Sequence, residues 1–261
     1  MRRWCAGVEY HGGAYSGWQA QNHHVSVQAT LETALSRIAN HPVCLVAAGR
    51  TDAGVHALQQ VVHFDSDAAR QPDAWVLGSN TQLPADISLP WVKLVDENFN
   101  ARYSALSRRY RYLIHNHRSR SALSGGRATW WTYPLDAACM HRAAQALVGT
   151  HDFSAFRASV CQSRTPVRNL LAIEVFRRGD FVVIDVIANA FLHHMVRNIS
   201  GSLLMVGQGR HPETWIAELL AGRDRTRAGM TAPAAGLYFV GPRYPDGYGL
   251  PPPPEPWFPA G

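Results

Sequence analysis

The chain has 261 residues, of which 46% are hydrophobic and 17% charged, so it can bury one large core or two small ones and is not a disordered protein. Its formal net charge of +6 suits a polyanionic partner without requiring one. Its four cysteines include no C-x-x-C pair, and no stretch resembles a signal peptide or a membrane span. We therefore expect a cytoplasmic protein with no disulfide frame, no zinc knuckle and no contact with a membrane.

The first hundred residues alternate strand and helix signals. A helix should follow an N-cap at Ser26, because Val27, Leu31, Leu35 and Ile38 recur at helical spacing. In chain order the patterns predict a strand over 3–10, a helix over 26–40, strands over 43–47 and 58–65, a short helix over 73–78 and a strand over 87–95.

The second half repeats this order of elements. Its patterns predict a strand over 107–116, a helix over 135–149 closed by Gly149, a hairpin of strands over 170–176 and 181–188 joined by RRGD, helices over 191–207 and 212–222, and a last strand over 236–244. Hairpins mixed with helices indicate an α+β fold with a mostly antiparallel sheet. We expect two α/β modules, 1–105 and 106–245, that share a central cleft, and a proline-rich tail over 246–261 that runs along the surface.

The segment AGRTDAGVHA, residues 48–57, lies between two predicted strands and contains one carboxylate, Asp52. Thr51 and Asp52 are both typical of turns, where their side chains bind nearby amides. A functional role is also compatible with the segment, because Gly49 and Gly54 let a flat ring come close and Arg50 is unusual in a mere connection. The segment alone leaves both interpretations open.

The apolar segment FLHHMVRNISGSLLMVG contains one arginine, Arg197, near His193, His194 and Asn198. An isolated arginine there could simply extend to solvent. Set among these polar groups, it indicates a polar cleft in which a guanidinium would hold a carboxylate and keep it ionised. Adjacent histidines diverge on a helix and no cysteine or carboxylate stands at ligand spacing, so we expect no metal.

Tyr110 and Tyr112 fall on the same face of the strand 107–116. One of them should belong to the core, while a tyrosine that lines a cleft could stack on a nucleobase. The neighbouring Arg108, Arg109 and Arg111 would then face phosphate or water. Trp18 and Gln19 of the first loop offer further stacking and hydrogen-bonding groups.

Common nucleotide, hydride-transfer and metal-hydrolase motifs are missing from the sequence. It contains no P-loop, no G-x-G-x-x-G, no H-E-x-x-H, no G-x-S-x-G and no EF-hand pattern. The expectation that remains is a cleft without a cofactor, equipped with an aspartate, an arginine and a tyrosine.

The sequence from about residue 3 to 244 resembles the tRNA pseudouridine synthase A family. The resemblance is carried, in family order, by YHGGAYSGWQAQ, SVQATLETAL, AGRTDAGVHA, QVVHF, NTQLPADI, FNARYSALSRRYRYLI, GTHDFSAFR, FLHHMVRNISGSL and APAAGLYFV. It implies the pseudouridine synthase fold of two ferredoxin-like (RNP-like) modules. The implied activity is conversion of uridine to pseudouridine at tRNA positions 38 to 40, without cofactor or metal, by a homodimer in which one tRNA anticodon arm contacts both subunits.

The resemblance also implies roles for single residues. Asp52 matches the catalytic aspartate, Tyr110 the tyrosine that stacks on the uracil and assists deprotonation of C5, and Arg197 the arginine that pairs with the aspartate. Leu237 matches an apolar residue beside the base, and Arg50 a residue that helps displace the nucleotide. We expect the remaining substrate contacts from Gly54, His56, Trp18, Gln19, His193 and Asn198.

Two other functions are compatible with parts of this pattern. An RNA-binding protein or RNA chaperone would use the cleft without chemistry, but it gains nothing from a buried anion near phosphates. A nucleosidase with an aspartate nucleophile would release free uracil and would not need basic surfaces.

Overall fold

The computed structural model describes residues 1–255. Within them no helix is both long and apolar enough to span a lipid bilayer. The strands are β1 Arg2–Tyr10, β2 Val46–Ala47, β3 His56–Ser66, β4 Ile87–Val95, β5 Ser107–Asn116, β6 Thr129–Trp131, β7 Gly149–Asp152, β8 Val167–Arg178, β9 Phe181–Ala188 and β10 Leu237–Arg243. The α-helices are α1 Val27–Ala39, α2 Pro72–Gln82, α3 Ala137–Ala144, α4 Met195–Gly207 and α5 Trp215–Gly222. The expected α+β class with mostly antiparallel strand pairing is confirmed.

Two compact units divide the described chain. One comprises residues 1–106 together with 238–255, and the other comprises 107–237. The prediction gives each module one continuous segment, with a break at 105 and a tail after 245. In the structure the last strand instead groups with the first unit, because Tyr238 and Phe239 of β10 pair in parallel with His56 and Ala57 of β3.

In the first unit, β1 lies between β3 and β4 and pairs antiparallel with both. Helices α1 and α2 supply apolar side chains to its core. Leu31 and Leu35 of α1 are completely buried, and such burial is worth about 1.5 to 3 kcal/mol for each side chain. Trp75 of α2 packs edge-on to Phe64 of β3, with ring centroids 5.1 Å apart. The predicted N-cap is present, since the Ser26 hydroxyl accepts a hydrogen bond from the Ala29 amide.

In the second unit, β5, β9, β8 and β7 pair antiparallel in that order, and the short β6 pairs in parallel with β5. The predicted hairpin of β8 and β9 is present, with Gly179 at φ +54° in its turn. Fully buried residues of α3, α4 and α5 form the core with the strands; they include Met140, Ile199, Leu203 and Ile216.

Several elements differ from their predicted bounds. The helix predicted over 191–207 begins only at Met195, because His194 adopts the left-handed backbone conformation, with φ +61°. The helix predicted over 135–149 ends at Ala144 and continues as a 3-10 turn. Gly149 does not close it but begins β7 at φ +108°, which favours glycine. The strands β6 and β7 are too short to show a periodicity in the sequence.

One group of charges is buried within the sheet of the second unit. Asp185 of β9 is 7% exposed and accepts hydrogen bonds from Arg109 and Arg111 of β5. Arg109 binds it with two parallel bonds of 2.8 and 2.9 Å. Arg109 and Arg111 therefore face Asp185, although the sequence predicts that they face phosphate or water. The neighbouring Arg108 donates to the Asn189 carbonyl. These contacts fix the part of β5 around Tyr110.

Replacement of Asp185 by asparagine tests this buried group. Removal of one charge leaves two guanidinium groups together with little solvent, so we expect Asp185→Asn to lower the free energy of unfolding by about 3 to 5 kcal/mol. Urea denaturation monitored by circular dichroism measures the change. Glu213→Gln, which removes the exposed partner of Arg142, is the matched control and should leave the denaturation midpoint nearly unchanged. Equal shifts for the two variants would contradict the assignment.

Candidate active site

The loop that carries Asp52 is held by the glycine-rich loop of the same unit. The Trp18 amide donates to the Thr51 carbonyl at 3.0 Å, and the hydroxyl groups of Tyr10 and Thr51 are 2.8 Å apart in the core. Gly17 passes so close that a Cβ atom on it would lie 2.8 Å from the Thr51 carbonyl oxygen, and its φ of +97° also favours glycine. The residue that precedes Asp52 is thus fixed on its backbone and its side chain.

Asp52 itself begins a tight turn. Its carbonyl accepts a hydrogen bond from the Val55 amide at 3.2 Å, and Gly54 adopts φ +78° within the turn. The Gly54 amide donates to the Tyr15 carbonyl at 3.3 Å. The Asp52 side chain is half-buried. The backbone of Asp52 thus forms a turn, as one interpretation of the sequence predicts, while a chemical role for its carboxylate stays a prediction.

His56, which follows the turn, is part of the same framework. Its ring is 2% exposed and lies between His11 and Tyr238, with centroid distances of 4.4 and 4.6 Å. Its Nδ1 accepts a hydrogen bond from the Gly12 amide at 3.0 Å. That bond requires Nδ1 to be unprotonated, so the ring carries any single proton on Nε2. His56 thereby connects the glycine-rich loop with β3 and β10.

The other predicted contacts of the first unit differ in exposure. Arg50 is exposed and Gln19 is half-buried, so both can reach a ligand. Trp18 is 2% exposed, and its ring packs against Tyr10 at a centroid distance of 6.0 Å. A ring enclosed in this way does not offer a face to a base. This position favours a structural role for Trp18 beside the Asp52 loop over the predicted stacking on a base.

Tyr110 lies on β5 of the second unit. Its ring is 8% exposed and meets Phe191 edge-on, with centroids 4.9 Å apart and an interplanar angle of 78°. Tyr112 is completely buried and its hydroxyl lies 2.8 Å from the Pro233 carbonyl, to which it donates, and 2.5 Å from the Thr129 hydroxyl. Burial raises the pKa of Tyr112, which keeps it neutral. Tyr112 is therefore the core tyrosine that the sequence predicts for this strand.

Arg197 projects from the first turn of α4. Its Nε donates to the Ala232 carbonyl at 2.8 Å, while its own carbonyl accepts from the Ala232 amide at 3.1 Å. The guanidinium is thus held by the backbone that leads to β10, whose first residue is Leu237. Leu237 is 5% exposed. A side chain fixed at Nε is oriented before any ligand binds, which lowers the entropy lost on binding.

Asn198, the next residue, is completely buried. Its amide nitrogen donates to the Phe156 carbonyl at 2.8 Å, and its amide oxygen accepts from Thr231 at 2.7 Å and Arg225 at 3.0 Å. The sequence predicts a substrate contact here. The side-chain amide instead connects the segments that contain Phe156, Arg225 and Thr231. This geometry favours a structural role for Asn198, which fixes the segment that carries Arg197. Arg225 and Thr231 have no signal in the sequence that would have identified them.

His193 and His194 precede α4 and are not part of it. Their rings lie against one another with centroids 4.0 Å apart, and they do not diverge as they would on a helix. The helix-based argument against shared ligation by these two residues therefore does not apply, and the expectation of no metal stays a prediction. The His193 amide donates to Cys161 Sγ at 3.4 Å, which fixes this turn.

The chain also matches a known family over most of its length. A family model described as tRNA pseudouridine synthase matches residues 6–104 and 143–245, a range that includes Asp52 and Arg197. The chain belongs to the tRNA pseudouridine synthase family. The predicted family is thereby confirmed, while the roles of the single residues stay predictions.

Relatives in this family resemble the chain over nearly its whole length. The tRNA pseudouridine synthase A of Aeromonas hydrophila is 59% identical over 245 residues, which cover 94% of this chain and 91% of that protein. The protein of the same name from Escherichia coli O1:K1 is 58% identical over 248 residues, 95% of this chain and 92% of that one. Among solved structures, a Cbf5–Nop10–Gar1 complex is 13% identical with a TM-score of 0.34, over 91% of this chain and 49% of that one.

A single methyl group should disrupt the Asp52 loop. A Cβ atom on Gly12 would lie 1.9 Å from the Val55 carbonyl oxygen, so we expect Gly12→Ala to displace the turn and to reduce both the melting temperature and the rate of tRNA modification. Thermal denaturation and a turnover assay measure the two effects. Gly247→Ala, in the same unit with no atom within 4 Å of the added Cβ, is the control. Wild-type turnover in Gly12→Ala would refute this account of the loop.

Proposed function

We propose that this tRNA pseudouridine synthase modifies uridines 38 to 40 of the anticodon arm with Asp52 as its nucleophile. The observation that carries the proposal is the Asp52 loop within the matched family region, whose backbone is fixed by two glycines and a buried Tyr10–Thr51 contact. In this architecture the Asp52 side chain is half-buried at the start of a tight turn. Rigid placement of a nucleophile is what nucleophilic catalysis demands.

The proposed reaction exchanges two bonds of the nucleotide. Attack by Asp52 forms a bond between its carboxylate and the target nucleotide and lets the N1–C1′ bond break. After the detached uracil turns, a C5–C1′ bond forms and the bond to Asp52 breaks, which restores the carboxylate. The proton on C5 is then removed and N1 gains one, so that reactant and product are isomers. No electrons and no groups are gained or lost, and no redox cofactor is required by this balance.

Tyr110 and Arg197 have distinct proposed roles. A base must leave its stack before it can react, and an aromatic side chain can hold it in its turned orientation. We assign this platform, and assistance in the loss of the C5 proton, to Tyr110. We assign to Arg197 the positive charge that keeps the catalytic carboxylate ionised, because a guanidinium matches a carboxylate in charge and shape. The hydrogen bond from its Nε to Ala232 supports a defined orientation of that charge.

The remaining assignments concern substrate contacts and assembly. Arg50 is exposed and near the turn in sequence, which supports a contact with phosphate or with the displaced strand. Leu237 is proposed to pack beside the base. Assembly as a homodimer that holds one tRNA with both subunits rests on the resemblance alone, and a cytoplasmic location rests on the four scattered cysteines.

Tritium release from tRNA labelled at uridine C5 tests the nucleophile. The wild-type protein should release tritium without added metal, and Asp52→Asn should release none, because an amide is a poor nucleophile, while tRNA binding persists. Asp73→Asn, an exposed carboxylate in α2, is the control and should release tritium at the wild-type rate. Binding of tRNA without release from the wild type would favour the RNA-binding alternative. Free uracil as the product would favour a nucleosidase.

A second measurement separates stacking from proton transfer. Tyr110→Phe keeps the ring and removes the hydroxyl group, so we expect binding near the wild-type affinity and a turnover number reduced by about 100-fold or more if the hydroxyl takes part in deprotonation. Single-turnover kinetics at saturating tRNA report the chemical step. Tyr103→Phe, at a ring that is 78% exposed, serves as control. An unchanged rate in Tyr110→Phe would restrict the residue to stacking.

A further inference from the structure

A cavity lies in the unit 107–237, at the end of β5 that is far from Tyr110. The cavity has a volume of about 210 Å³ and is lined by His115, Arg120, Ser121, Ser124, Gly125, Gly126, Ala128 and Trp130. His115 lies five residues after Tyr110 on the same strand, which corresponds to about 17 Å at 3.4 Å per residue. The cavity is therefore separate from the proposed base platform but lies on the same structural element.

His115 forms the inner end of this cavity. Its side chain is only 8% exposed, and its Nδ1 is buried without a hydrogen-bond partner among the described residues. Buried polar atoms are normally paired, so an unpaired imidazole nitrogen beside a cavity calls for a ligand with a complementary group. An imidazole that carries a proton on Nδ1 can donate it to an oxygen.

The opposite wall is a turn with two adjacent glycines. The Ser124 carbonyl accepts from the Arg127 amide at 3.0 Å, and Gly126 adopts φ +72° inside this turn. In the described part of the chain, neither glycine amide donates to a protein oxygen. Successive amides in a turn form a concave surface that binds anions. The hydroxyl groups of Ser121 and Ser124 add further polar groups to the same wall.

The charged side chains of the cavity loop are all positive. Between Glu97 and Asp136 the sequence contains no acidic residue, while Arg118, Arg120 and Arg127 stand on or beside the cavity loop. Arg120 lines the cavity, whereas the exposed Arg118 does not. A guanidinium, an imidazole and free amides are the donor set typical of a phosphate site.

We infer that the cavity between His115 and the loop 120–128 binds a backbone phosphate of the RNA substrate. The inference rests on the proposed function, because a tRNA modified near Tyr110 extends well beyond the reacting nucleotide and presents phosphates at this range. Contacts with phosphate position RNA without reading its sequence. The site would thus fix the register of the tRNA on the second unit and would act at a distance from the chemistry.

Affinity for tRNA, measured in the Asp52→Asn background, tests the inference independently of turnover. Arg120→Gln should weaken binding about tenfold and reduce the slope of log affinity against log salt by about 0.7 to 0.9, the value expected for one lost phosphate contact. Arg118→Gln, an equal loss of charge two residues away, is the control and should change affinity by less than twofold. Equal effects of the two variants would show general electrostatic attraction and overturn the site.

A second variant tests the buried imidazole. His115→Phe keeps an aromatic ring and removes both nitrogens, so it should weaken tRNA binding to a similar degree and add little to Arg120→Gln in the double variant. Circular dichroism checks that it folds. In an otherwise wild-type chain, Arg120→Gln should lower kcat/KM by the same factor as the affinity. Full additivity of the two variants, or unchanged kcat/KM, would contradict a shared phosphate.

Equilibrium dialysis with inorganic phosphate distinguishes the source of the ligand. Tight phosphate binding that depends on Arg120, together with unchanged tRNA affinity, would overturn the RNA assignment in favour of a free phosphate. Weak phosphate binding with reduced tRNA affinity in Arg120→Gln supports it. A wild-type protein that binds tRNA through Arg120 but releases no tritium would contradict the proposed function and leave this inference standing.

Discussion

The close approach of the glycine-rich loop to the Asp52 turn is the constraint on which the first unit depends. Gly12 lies against the Val55 carbonyl and Gly17 against the Thr51 carbonyl, at distances that no side chain permits. The same loop also binds α1, since the Gly17 and Trp18 carbonyls accept the amides of Val27 and Gln28. The glycine-rich loop thus joins the Asp52 loop to the helix α1. The backbone of the Asp52 turn is therefore fixed by these close contacts.

In the second unit, ion pairs rather than close backbone contacts fix the strand that carries Tyr110. Tyr110 lies between Arg109 and Arg111 in sequence, and both arginines bind Asp185 on the adjacent strand. Alternation along the strand sends the two arginines to one face and the tyrosine to the other. Because the ion pairs are poorly hydrated, breaking them is costly, and the register of β5 against β9 is well defined. The ion pairs therefore position the part of the strand that carries Tyr110.

The net charge of +6 does not show which arginines bind other groups of the protein and which are exposed. Arg109, Arg111 and Arg225 are used within the fold, where they bind a carboxylate, an amide and carbonyl groups. Arg50 and Arg120 are exposed instead, and Arg120 lines the cavity at His115. An arginine whose donors are occupied by protein oxygens contributes less to RNA binding than its charge suggests, because those donors are already directed inward.

The sequence by itself determined the family, the α+β class and most of the elements with clear periodicity. The bounds of β4 and β5, the Ser26 cap and the β8–β9 hairpin followed from alternation, capping chemistry and turn residues, all of which are local. Asp52 was singled out by its neighbours in the chain, and the family resemblance supplied its role.

Only the tertiary structure decided the burial of particular side chains and the ends of several elements. Trp18 and Asn198 have the chemistry of ligand contacts, yet packing encloses both, and nothing in their sequence neighbourhood records that. The left-handed His194 delays the start of α4, and β6 and β7 form because partner strands supply their hydrogen bonds. The sequence did not predict the cavity at His115, because its walls come from a strand and a separate loop that only the tertiary structure brings together.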